Sequence, residues 1–288
     1  MAIIFITGTS TGIGFATAIT LARKGHKVYA SMRNPQRSPE LQNLAMKENL
    51  PIHIITMDVD DEASVSNGIG SVIEKEGFID VLINNAGVAQ AGPVEELPIH
   101  SFEKEMQTNY FGTIRCIKAV LPSMRVRKAG CIINNTSVLG RFYEPFQSGY
   151  CASKAAVEAF SESLAQEVQP YNIRIAIVEP GVISTPIFSK GKSELSIHYT
   201  AIKRLKAFYA ASLKRHTPPE VVAEVINDIV DGKSKKFRNL AGPDALPLIS
   251  SRSSITDEEW IASVNIDDDT WIENMSQLGL NVKPYLTK

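Results

Sequence analysis

Tyr150 stands four residues before Lys154 in the segment SGYCASKAA, and Ser137 lies thirteen residues upstream of that tyrosine in NNTSVLG. On a helix, positions four apart share a face, so the phenol and the ammonium are one turn apart. A free phenol, with a pKa near 10, transfers protons poorly at neutral pH. A neighbouring ammonium and the positive end of a helix both favour the phenolate, each unit of depression being worth about 1.4 kcal/mol. By itself a Tyr-x-x-x-Lys pair is most often a surface pair, so its meaning depends on what surrounds it. Cys151, beside the tyrosine, has no histidine near it in sequence and reads as a small packing residue rather than a nucleophile.

A second group lies at the start of the chain. The stretch TGTSTGIG follows the first apolar run and carries Gly8, Ser10, Thr11, Gly12, Ile13 and Gly14. Glycines at a strand-to-helix turn let backbone N–H groups approach a pyrophosphate, and the helix N-terminus adds favourable partial charge. At the end of the second apolar run, Met32 takes the place where an acid would meet a ribose 2′-hydroxyl, and Arg33 follows it. An arginine there can pair with a 2′-phosphate, so NADP(H) is favoured over NAD(H).

These groups must be held by a regular frame. Apolar, β-branched runs recur at 2–6, 27–31, 51–57, 80–84, 131–135, 173–178 and 237–242, without polar alternation on either face, and predict buried parallel strands. Helical periodicity fills the intervals, as in 15–24 and 155–168. Alternating strand and helix imply an α/β, doubly wound sheet with helices on both faces. The chain is predicted as one catalytic domain over residues 1–250, with an inserted substrate lid at 186–216 and a helical appendage at 251–288. In that appendage Thr256 and Glu259 have capping-box spacing.

Composition narrows the function. A net charge of −1 over 288 residues gives no basic field for nucleic acid or an anionic membrane. Three cysteines without metal spacing, Cys116, Cys131 and Cys151, fit a reducing compartment and suggest no metal site. No apolar run reaches the length of a membrane span, so a cytoplasmic protein is expected.

Taken together, TGTSTGIG, NNAG at 84–87, Asn109, Ser137, YCASK at 150–154 and PGVIST at 180–185 resemble the short-chain dehydrogenase/reductase family in order and interval. The resemblance covers about residues 1–245 and implies a seven-stranded parallel Rossmann sheet. It implies that Tyr150 is the general acid/base, that Ser137 orients the substrate carbonyl, that Lys154 holds the nicotinamide ribose and lowers the tyrosine pKa, and that Asn109 supports a proton-relay water. It further assigns Asp58 and Val59 to the adenine, Asn85, Ala86 and Gly87 to the adenosine ribose, and Pro180, Gly181, Val182 and Thr185 to the nicotinamide side. Arg33 and LAGPDA at 240–245 look like the NADP-preferring branch that includes hydroxysteroid and retinol dehydrogenases. The expected activity is hydride transfer between NADP(H) and a small-molecule carbonyl or secondary alcohol. An NADP(H)-binding sensor with little turnover is the alternative.

Two expectations concern surfaces. In the lid, Ile202, Leu205, Phe208, Tyr209 and Leu213 form an apolar stripe, and Phe142, Tyr143 and Phe146 could face it across the site, which favours a hydrophobic substrate. A helix over 99–128 and another over 150–168 carry more apolar surface than one buried face needs, and the resemblance implies a two-fold contact there. A homodimer or homotetramer is therefore expected. Light scattering at micromolar concentration should give at least twice the monomer mass, and a monomer would contradict this.

Overall fold

The seven apolar runs form strands, of which the five inner ones bury both faces while the edge runs at 52–56 and 238–241 are only partly buried. In the computed structural model, which describes residues 1–187, 198–199 and 201–286, they are β1 (Ile3–Ile6), β2 (Lys27–Met32), β3 (Ile52–Thr56), β4 (Val81–Asn84), β5 (Gly130–Asn135), β6 (Ile173–Pro180) and β7 (Arg238–Ala241). All pair in parallel, in the order β3-β2-β1-β4-β5-β6-β7. Successive residues then enter opposite cores. Ile4, Ile6, Val81, Ile83 and Ile133 face one, while Phe5, Leu82 and Ile132 face the other. This two-sided burial explains why the runs lack polar alternation.

Helices α1 (Gly12–Arg23), α2 (Glu40–Glu48), α3 (Glu62–Glu76), α4 (Ile99–Glu105), α5 (Gly112–Arg127) and α6 (Ser148–Val168) alternate with the strands. After the sixth strand come α7 (Ile202–Lys214), α8 (Glu220–Val230), α9 (Ala245–Ser253), α10 (Asp257–Ala262), α11 (Asp268–Gln277) and α12 (Lys283–Leu286). Helices α1 and α8 pack together on one face of the sheet, and α3, α5 and α6 cover the other. No helix among the described residues is long and apolar enough to cross a membrane.

The segment 99–128 is not one helix, as expected, but α4 and α5 joined by a π-helical turn over Met106–Phe111. The wider turn inserts an extra residue, and at its centre the buried Asn109 reaches Val88 and Ser153. In the lid, residues 188–197 and 200 lie outside the described residues, whereas the stripe on α7 is buried at Ile202, Leu205 and Phe208. The C-terminal helices contact both the segment before α6 and α7. The Trp260 ring meets Phe142 edge-on at 4.8 Å and its Nε1 donates to the Tyr143 carbonyl at 3.2 Å. Asp268 pairs with Lys203 at 2.5 Å and Arg204 at 2.8 Å, and Leu280 and Val282 pack on Ala207, Phe208 and Ala211. The Thr256–Glu259 capping box opens α10 as its spacing suggests.

A buried polar ladder ties the central strands to α6. Asn84 Nδ2 donates to Asn134 Oδ1 at 2.8 Å, and Asn134 Nδ2 donates to Ser161 Oγ at 2.8 Å. Leaving such groups without partners costs about 1–3 kcal/mol. Asn134→Ala should therefore lower unfolding stability by about 1–3 kcal/mol or more in a urea titration; no change would show the ladder to be energetically idle.

Candidate active site

Strand order reverses on either side of β1, and the carboxyl ends of β1 and β4 diverge there into a crevice. Side chains stitch its base. Thr7 Oγ1 accepts from the Asn85 and Ala86 N–H groups at 2.9 and 3.0 Å, and Asn85 Nδ2 donates back to the Thr7 and Gly8 carbonyls, each at 3.0 Å. Gly8 has φ +70, and a Cβ on it would lie 2.6 Å from Ala86 Cα. Gly12 has φ +61, and its Cβ would press on Thr185 at 3.2 Å. Both positions need glycine for conformation and for close approach.

From this turn a cavity of about 360 Å³ runs across the carboxyl ends of the strands to α7 and α9. It is lined by Gly8, Ser10, Thr11, Gly12, Ile13, Arg33, Asp58, Val59, Asn85, Ala86, Gly87, Ser137, Phe142, Tyr150, Lys154, Pro180, Gly181, Val182, Thr185 and Tyr209, all expected from sequence. Several expected residues do not line it: Tyr143 is exposed, and Ile202, Leu205 and Leu213 of the α7 stripe stay outside it. Gly14 is packed beneath the turn, where a Cβ would come within 2.4 Å of both Asn85 Nδ2 and the Gly8 carbonyl oxygen. Asn109 has its amide committed to both backbone groups of Val88 and to Ser153 Oγ, each at 2.9 Å. Phe146, in a left-handed backbone with φ 66, turns its ring toward Tyr199 at 6.4 Å.

At the chemical end, Ser137 leaves β5 and caps a short 3₁₀ turn, its Oγ accepting from Leu139 N–H at 3.1 Å. Tyr150 and Lys154 occupy the first turns of α6. Lys154 Nζ donates to the Asn135 carbonyl at 3.0 Å and lies 5.5 Å from the centroid of the Tyr150 ring. The expected depression of the phenol pKa is not what this arrangement produces. Burial pushes Tyr150 above its usual value against an opposing Ser137 hydrogen bond, and burial alone pushes Lys154 down to about 8. Desolvation is the largest cause in both groups.

Sequence reading passed over Thr7, Asn135, Glu144 and Gln147. Glu144 and Gln147 line the cavity within RFYEPFQ, and a lone carboxyl between aromatic residues was the available signal. Glu144 Oε2 accepts from Tyr209 Oη at 2.8 Å and from Gln147 Nε2 at 3.0 Å, so the wall that Tyr209 forms is polar at its tip. The cavity as a whole fits a nicotinamide dinucleotide. Its glycine cradle leaves no room for a Cβ at Gly8, its rim carries the exposed Arg33, and Met32 puts no carboxylate beside that guanidinium.

Comparison with known proteins agrees with this geometry. Residues 2–195 match the family model described as short chain dehydrogenase. The chain belongs to the short-chain dehydrogenase/reductase family. It is 35% identical over 247 residues to a 3-ketodihydrosphingosine reductase of Bacteroides thetaiotaomicron, an alignment covering 84% of this chain and 88% of that one. It is 37% identical over 197 residues to retinol dehydrogenase 8 of Bos taurus, covering 67% of this chain and 62% of the relative. A solved short-chain dehydrogenase from Streptomyces avermitilis superposes with a TM-score of 0.79 at 29% identity, covering 96% of this chain and 98% of that one.

In this short-chain dehydrogenase a buried carboxyl bears on the tyrosine. Glu105, buried at the end of α4, accepts from Gln90 N–H at 2.8 Å, and its Oε2 abuts Gly149, where a Cβ would come within 2.2 Å. Burial pushes its carboxyl up to about 7, and its charge raises Tyr150 further. Because the folded value exceeds that of an unfolded glutamate, the folded state binds the extra proton between about pH 4.3 and 7, and stability falls as pH rises through that window. Glu105→Gln keeps an acceptor for Gln90 without the charge. It should raise the melting temperature at pH 8 and have little effect at pH 4.5, as read by scanning calorimetry; an equal effect at both pH values would refute the assignment.

Proposed function

We propose that this protein is an NADP(H)-dependent oxidoreductase that interconverts a largely hydrophobic carbonyl compound and the matching secondary alcohol, with Tyr150 as general acid/base. The observation that carries this reading is the continuity of one cavity from the glycine turn and Arg33 to Ser137, Tyr150 and Lys154. When bound, the nicotinamide supplies hydride chemistry. The glycine turn through Ile13 cradles the pyrophosphate, Asp58 and Val59 flank the adenine, Arg33 meets the 2′-phosphate, and Asn85 to Gly87 back the adenosine ribose. Lys154 holds the nicotinamide ribose, and Pro180 to Thr185 bound the nicotinamide. Ser137 donates to the substrate carbonyl, and Tyr150 gives it the proton in reduction and takes it back in oxidation. Asn109 acts by fixing Val88 and Ser153 around the Gly87 turn.

The same reading takes residues 1–250 as the catalytic domain and 251–288 as its appendage, in a cytoplasmic homodimer or homotetramer. A sensor with little turnover is not favoured, because Ser137, Tyr150 and Lys154 share one cavity wall with apolar side chains around them.

Steady-state kinetics on a carbonyl panel test the proposal. NADPH should outperform NADH in kcat/KM, Arg33→Ala should narrow that gap, and Met32→Asp should invert it. Tyr150→Phe should hold cofactor affinity while turnover falls by roughly 10²–10⁴. A wild-type preference for NADH would overturn the cofactor assignment, and near-normal turnover in Tyr150→Phe would overturn the mechanism.

A further inference from the structure

The substrate end of the cavity carries a polar cluster that general acid/base chemistry does not use. Glu144 lies in the loop before α6, Gln147 at its N-cap and Tyr209 on α7, and all three line the cavity. Tyr209 Oη and Gln147 Nε2 both donate to the same Glu144 oxygen, Oε2, at 2.8 and 3.0 Å, and these two donors also hydrogen-bond to each other. Among the described residues Glu144 Oε1 has no hydrogen-bond partner, and it is not among their sealed, unsatisfied atoms, while Glu144 itself lines the cavity. The cluster is rigidly backed. Gln147 is buried, Tyr209 packs edge-on against Phe208 at 5.3 Å, and Phe142 is braced by Trp260.

Burying a carboxyl without full hydrogen bonding is unfavourable, and a cavity meant only for hydrocarbon would gain from an apolar residue here. Burial pushes the Glu144 carboxyl up to about 7 against the Tyr209 and Gln147 hydrogen bonds, so a further donor reaching its oxygens would favour the charged form. The tyrosine and amide are oriented to hold one oxygen, which aims the other.

We infer that Glu144, fixed by Tyr209 and Gln147, is a specificity-determining residue that accepts a hydrogen bond from a hydroxyl or amino group carried by the substrate away from its reacting carbon. This rests on the carbonyl/alcohol reading of the same cavity and narrows it. The substrate is an amphiphile, with an apolar body against Phe142, Leu248 and Phe208 and one donor placed to meet Glu144.

The test uses ketones of one carbon skeleton bearing, at a position remote from the carbonyl, a methyl, a hydroxyl or an amine. Wild-type kcat/KM should favour the donor-bearing ketones over the methyl ketone by tenfold or more, as expected for a hydrogen bond to a charged group. Glu144→Leu should cut that ratio at least tenfold and Tyr209→Phe less. Glu144→Gln should retain part of the hydroxyl preference and lose the amine preference. In parallel, calorimetry on the full chain with and without NADP⁺ compares the saturated mono-alcohol with the matching diol, and wild type should bind the diol more tightly by a similar factor that Glu144→Leu abolishes. Turnover of no ketone would count against the proposed reaction, leaving the diol ratio to decide the role of Glu144. Ratios near one in wild type, or ratios unchanged in Glu144→Leu by both readouts, overturn the inference.

Discussion

The site depends on a chain of hydrogen bonds that holds three diverging strand ends at fixed separation. Thr7 after β1 binds the backbone after β4, and Asn85 binds back to the Thr7 and Gly8 carbonyls. Asn135 at the end of β5 donates to Asn85 Oδ1 at 3.0 Å, and its carbonyl receives Lys154 Nζ. A parallel sheet leaves backbone groups unpaired where neighbouring strands part, and buried backbone groups demand partners. Here the partners are side chains. They satisfy the strand ends and, through the same contacts, set the distance between the glycine turn and the helix that carries Tyr150.

Burial of charge is the second organising constraint. Lys154, Glu105 and Glu144 all have displaced pKa values with desolvation as the largest cause, and Tyr150 is displaced in the same way. Each costs folding free energy while strengthening electrostatics inside the cavity, where the effective dielectric is low. The pairing of phenol and ammonium is thus a product of two opposed effects. Their spacing on α6 brings them together, and Val138, Leu139 and Leu248 pack around Tyr150, while burial displaces both groups.

The C-terminal helices complete the cavity from outside. Trp260 braces the loop that holds Phe142 and Glu144, while Leu280, Val282 and the Asp268 ion pairs fix α7 and with it Tyr209. The two walls that meet at the Glu144–Tyr209 hydrogen bond come from segments 65 residues apart. Both walls contact the C-terminal helices, so a region remote from Tyr150 in sequence bears on the shape of the cavity.

Much of this was legible in the sequence because it depends on local pattern. Apolar runs buried on both faces are necessarily continuous, so the strands emerged within one or two residues of their observed bounds, and the glycines at a strand-to-helix turn and Tyr150 and Lys154 one turn apart gained meaning from the whole set of motifs that resembles the family. Asn109 was recognisable by position, yet its side-chain partners Val88 and Ser153 are non-local and depend on a π turn that periodicity does not encode. Phe146 was read as a wall from its neighbours in sequence, but its left-handed backbone turns the ring away. The same holds for electrostatics. Spacing gives the proximity of Tyr150 and Lys154, whereas desolvation depends on what many distant residues exclude from the site. The sequence by itself therefore determined the strand segments, the glycine turn after β1 and the closeness of Tyr150 and Lys154, since each follows from a pattern a few residues long. Only the tertiary structure decided the burial of Tyr150 and the meeting of Glu144, Gln147 and Tyr209, because burial and cross-chain hydrogen bonds exist only after distant segments have packed.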